Sequence, residues 1–107
     1  MKNIEEQGAE KQGDDFNNGQ FVLRLFVSGA SPNSIRAIAN LREICDQHLS
    51  GRYSLEIIDV YQQPLLAKDE ELVALPFLIK KVPLPERKLI GDLSDTVKVL
   101  KTLGINA

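Results

Sequence analysis

Phe21-Val22-Leu23-Arg24-Leu25-Phe26-Val27, running into Ser28-Gly29-Ala30-Ser31-Pro32, is the stretch on which the fold turns. Both alternate sets of the first seven residues, Phe21-Leu23-Leu25-Val27 and Val22-Phe26, are apolar. That predicts a strand covered on two faces, with Arg24 as its only charge. Ser31 is a helix-capping residue type and Pro32 suits a first helical turn. Apolar residues then follow at Ile35, Ile38, Leu41, Cys45 and Leu49, a helical spacing that should end before Gly51. Tyr53 to Val60 mixes β-branched and aromatic residues and reads as a second strand. The first half is therefore expected to be a parallel strand-helix-strand unit with a right-handed crossover.

Pro64 opens a short second helical pattern in which Leu65-Leu66 and Leu72-Val73 flank a polar middle, Lys68-Asp69-Glu70-Glu71, expected to face water. Beyond Ala74-Leu75-Pro76, two strands, Phe77 to Val82 and Glu86 to Ile90, are joined by Pro83-Leu84-Pro85 as an antiparallel hairpin. Gly91-Asp92 stops the second of them. Leu93 and Ser94 read as staple and cap of a last helix presenting Val97, Leu100 and Leu103. Residues 1–20, polar and acidic with only Ile4 and Phe16 as large apolar groups, read as a flexible tail. Residues 21–107 form the single domain that 107 residues can support.

Composition excludes several function classes. The net charge of −2 and a pI near 5.4 lack the basic excess that nucleic-acid binding uses, so no nucleic-acid partner is expected. No apolar stretch approaches a membrane span, and the polar N-terminus lacks a signal pattern, so a cytoplasmic location is expected. One His and one Cys are a poor basis for a metal centre, and no phosphate-cradling Gly-rich run precedes a helix. No cofactor is expected.

The order βαβαββα, with a Pro entering the third strand, resembles the thioredoxin superfamily. In that superfamily the loop from first strand to first helix carries a C-x-x-C pair whose thiols cycle through a disulfide. Here the two positions are Ser31 and Ser34, and hydroxyls cannot do this. Ser31 would need an adjacent base to act as a nucleophile, whereas His48 lies at the far end of the first helix, so Ser31 reads as a cap. Cys45 falls mid-helix on the apolar side, where a buried, inert thiol is expected. No catalytic residue and no enzyme activity are expected. Lys80-Lys81 and Arg87-Lys88 flank the Pro-rich turn. They read either as a basic patch for an acidic partner or as edge-strand charges that discourage aggregation.

Five segments in register resemble the KaiB family: Phe21 to Gly29, Ser31 to Ala37, Ile58-Asp59-Val60, Ala74-Leu75-Pro76 and Leu89 to Leu93. The sensor domain of SasA-type histidine kinases shares part of this pattern. The resemblance implies a non-catalytic clock or timing regulator that binds a KaiC-type ATPase, with KaiA or a SasA-type kinase as further partners. A stress-response adaptor is the alternative role, and a redox or glutathione-binding thioredoxin relative is a more distant one. It also implies two folds: a thioredoxin-like monomer with a cis Leu75-Pro76 bond, and a ground state with a rearranged second half that self-associates as a dimer or tetramer. Arg24, Arg36, Lys80, Arg87 and Lys88 keep the family's basic character and are expected to carry partner binding, together with the rim of the second strand. Pro76, Thr102 and Gly104 are expected to bear on the choice of fold, because the family commonly has Gly at the position of Thr102 and Asp at that of Gly104. Glu56 and Glu71 reverse charges that are often Lys in the family.

Overall fold

A computed structural model describes residues 20–72 and 74–105. The expected tail lies outside the described residues except for Gln20. The elements are β1 (Phe21–Val27), α1 (Pro32–His48), β2 (Tyr53–Asp59), α2 (Pro64–Ala67), β3 (Phe77–Val82), β4 (Arg87–Ile90) and α3 (Thr96–Leu103). This is the thioredoxin-like βαβαββα order expected from the pattern.

The four strands form one sheet in the order β2-β1-β3-β4. β1 pairs in parallel with β2 and antiparallel with β3, so the first described strand sits inside the sheet with partners on both sides. That position explains its two apolar faces. Leu23, Leu25 and Val27 pack on one face beneath Ala37, Leu41, Ile44 and Cys45 of α1 and Val99, Leu100 and Leu103 of α3. Phe26 points the other way and joins Ile58, Phe77 and Ile79 under Val60, Ala67, Leu72 and Leu75. α1 and α3 thus cover the middle of the helical face, leaving Tyr53, Leu55, Ile57 and Leu89 on the outer strands partly buried, while the segment around α2 covers only one end of the opposite face.

Four local readings are corrected. In α1 the buried stripe runs Ser34, Ala37, Leu41, Ile44 and Cys45, and Ile35 is 54% exposed. The second helix is a four-residue piece, with Leu65 and Leu66 exposed. In α3 the cap is Asp95, whose carboxylate accepts from the Lys98 N–H at 3.2 Å, and Val97 is 61% exposed while Val99 is buried. The Asp92 carboxylate accepts the Ser94 N–H at 3.1 Å, which places Ser94 in the turn before the helix. Finally, Lys80 and Lys81 lie on β3, an internal strand, so they are not edge-strand charges.

Candidate functional site

The loop between β1 and α1 occupies the place of the thioredoxin redox centre and is built from three serines. The Ser31 hydroxyl accepts the Ser34 N–H at 3.3 Å and donates to Ser34 Oγ at 2.8 Å. Ser34 Oγ also accepts the Ser28 N–H at 3.2 Å, and Ser28 Oγ lies 3.3 Å from Ser31 Oγ. Ser34 is fully buried, and these bonds satisfy it there. The hydroxyls are therefore engaged in holding the turn and capping α1, with no imidazole or carboxylate in the cluster to activate them. Leu75-Pro76 is cis, as expected at the entry to β3. Cys45 is buried, and desolvation, with a smaller contribution from Asp46, pushes its thiol up to about 12. At neutral pH it is a protonated, apolar-like group.

The five basic residues expected to bind a partner do not form one patch. Arg24 lies on the open face of the sheet directly opposite Glu56 in the β1–β2 register, and its Nε is 3.1 Å from Glu56 Oε1. The reversed charge at Glu56 is thus answered within the chain by an ion pair between partly exposed groups, worth at most about 1 kcal/mol. Register continues the same row through Ile79 to Lys88 on β4, so Glu56, Arg24, Ile79 and Lys88 cross all four strands. Arg36 stands apart on α1, bonded to Asn33 Oδ1 and 3.4 Å from Asp92 Oδ2. Asp92 is held below the usual carboxylate range chiefly by hydrogen bonds from Ser94, with a smaller contribution from Arg36.

Lys80 departs most from the expectation. It points to the helical face and is only 3% exposed, so it cannot present its ammonium to a docking partner from the surface. Arg87 stands directly opposite in the β3–β4 register but is itself exposed. Burial, and then the Arg87 charge, lowers the Lys80 ammonium from its ordinary value. β3 carries an irregularity next to it: Val22 pairs with Val82 and Leu23 with Lys80, leaving Lys81 as the extra residue. Lys81 is engaged by Glu70 at 3.2 Å and Glu86 at 3.3 Å, tying the segment after α2 to the hairpin.

Among the residues named for fold choice, Thr102 Oγ1 donates to the Lys98 carbonyl at 2.9 Å, and Gly104 ends α3 in the left-handed region at φ 79°. The sequence does not single out Lys101, and it marks Glu70 only as part of a polar run facing water. Ser34 carries a signal, its C-x-x-C spacing from Ser31. Among the described residues no helix is long and apolar enough to cross a membrane, and no cluster of three His, Cys, Asp or Glu is placed to hold a metal.

A family profile described as KaiB domain matches residues 24–105. The chain belongs to the KaiB family. It is 50% identical over 80 residues to the circadian clock oscillator protein KaiB of Trichodesmium erythraeum (strain IMS101), covering 75% of this chain and 77% of that one. The KaiB of Prochlorococcus marinus (strain MIT 9312) is 49% identical over 80 residues, covering 75% and 76%. Among solved structures, the N-terminal domain of Synechococcus elongatus SasA matches with a TM-score of 0.64 at 29% identity, over 79% of this chain and 84% of that one. The Drosophila thioredoxin Deadhead matches with a TM-score of 0.66 at 11% identity, over 84% of each chain, and shares the fold alone. The KaiB-family chain therefore has a thioredoxin frame with serines where a thiol pair would act.

Proposed function

We propose that this KaiB-family protein is a non-catalytic clock or timing regulator that docks on a KaiC-type ATPase and modulates its phosphorylation state and output. The observation that carries the reading is the family match over nearly the whole domain. The engaged serine cluster supports it, since the frame's usual redox chemistry has no thiol there to use. Likeness to the SasA N-terminal domain favours a surface for which a SasA-type kinase competes, with KaiA as a further partner where one is present. In this reading Arg24 and Lys88 on the open face, Arg36 on α1 and the free edge of β2 contribute the contact, with charges tuning association rate and specificity.

The test is capture by a KaiC-type hexamer in ATP and in ADP at micromolar concentration, followed by size exclusion. Retention in either nucleotide state, weakening as salt is raised, is the expected result. Absence of retention in both overturns the proposal. Insulin reduction that turned over without a second thiol would restore the redox reading.

A further inference from the structure

The hairpin β3–β4 and the end of α3 enclose a cavity of about 280 Å³ that the docking surface does not use. Its charged lining is cationic: Lys80, Arg87 and Lys101 face it beside the neutral Thr102, and among the described residues no acidic side chain does. Phe21 and Leu84 supply apolar wall, and Gly104 closes one side, where an added Cβ would lie 3.8 Å from Lys80 Nζ. Leu84 is 81% exposed, so the cavity is open to solvent at the turn.

Unpaired cations at a surface are ordinary; Lys80 is not at a surface. It is only 3% exposed, and among the described residues no hydrogen bond or ion pair engages its ammonium. Directly opposite in the antiparallel register stands a second cation, Arg87, and like charges in that position repel. A buried charge without a partner is costly, and a like-charged neighbour adds to the cost. The carbonyl end of α3 contributes about half a negative charge nearby, well short of balancing three cations.

We propose that this cavity is a binding site for a phosphate-class dianion carrying a small apolar body, held by Lys80, Arg87 and Lys101. A phosphomonoester brings about −1.5 to −2 charge at neutral pH and three strong acceptor oxygens, which suits three donors better than a single carboxylate does. The arginine fork and two ammonium groups provide charge-assisted hydrogen bonds to those oxygens. The apolar wall at Phe21 and Leu84 receives the ester's organic part. The site stands independently of KaiC docking, because its principal ligand is buried and faces away from the open sheet face.

Isothermal titration of the full chain with phenyl phosphate and with inorganic phosphate, at constant ionic strength in chloride, tests it. Saturable binding is expected for both probes, tighter for phenyl phosphate if the apolar wall takes part. Lys80→Met keeps the side-chain length and removes the charge, and should weaken binding by roughly tenfold or more, the loss of one charge-assisted bond. Lys101→Gln, at a site that leaves β3 untouched, should weaken it as well and guards against a folding defect in the first variant. Equal affinity for wild type and both variants overturns the proposal, as does absence of saturable binding up to about 10 mM. Equal affinity of the two probes overturns the apolar part of it.

Discussion

Cys45 is the residue whose chemistry the fold has most altered. Its thiol is pushed up to about 12, mainly by burial, so between the ordinary value of 9.0 and 12 the folded state holds a proton that the unfolded chain releases. Stability must therefore fall as pH rises through that window, by up to about 1.4 kcal/mol per pH unit. Cys45→Ala should remove this slope. Urea unfolding of wild type and variant at pH 8, 9.5 and 11 measures it, the difference between the two chains cancelling the titration of tyrosines and lysines. Alkylation at neutral pH should likewise be slow in the folded protein and rapid in urea.

At the scale of elements, α3 ends where Gly104 takes a left-handed conformation that a side chain disfavours. Gly104→Ala should cost about 1–2 kcal/mol in urea unfolding. Thr102→Gly introduces the residue common in the family and should weaken α3 by a few tenths to about 1 kcal/mol. We infer that the same change raises the population of any state in which residues 97–103 leave the helix, a shift that backbone chemical shifts of Val99 and Leu103 would report. Their staying unchanged would place the fold preference elsewhere. β1, α1 and the hairpin were legible because their period and punctuation agree: a double-faced apolar run, a Ser-Pro start, a Pro-rich turn. α3 was legible as a helix but not in its rotation. Val97 and Val99 compete for the inward stripe, and Val99 wins because it stacks one turn from Leu103 beside Leu100. Ser94 and Asp95 can both cap, and the sequence cannot show that Asp92 occupies Ser94 first. In α1 the inward place of Ser34 depends on its hydroxyl partners Ser28 and Ser31, which exist only once the loop has closed.

For the whole molecule, the five basic residues read as one group are divided between the sheet's two faces and α1, because alternation along β3 and β4 sends neighbours in opposite directions. Beginning a charged pair beside the Pro-rich turn, Lys80 reads as a surface residue. Its parity with Leu78 on the helical face was the signal against that. Two charge reversals therefore separate docking from folding. Lys88→Glu, on the exposed open face, should weaken KaiC capture several-fold at low salt with stability changed by less than about 0.5 kcal/mol. Lys80→Glu should instead alter the unfolding midpoint, since it reverses a buried charge beside the same cations, Arg87 and Lys101. Parallel pull-down and urea curves distinguish the two.

Phe21 begins the first strand and Gly104 closes the last helix, yet both line the same cavity. The start of β1 and the end of α3 thus lie side by side at one end of the sheet, although most of the described chain lies between them. A circular permutant joining Ile105 to Phe21 through a short Gly-Ser linker, with new ends between the exposed Ser50 and Gly51, should reach the same architecture. It would enter the sheet by β2 and add its central strand last. If its circular dichroism and cooperative unfolding match those of the parent chain, the crossover from β1 to β2 is dispensable as a covalent link. Loss of cooperative unfolding would show that β1 and β2 must be joined through α1 for the sheet to assemble.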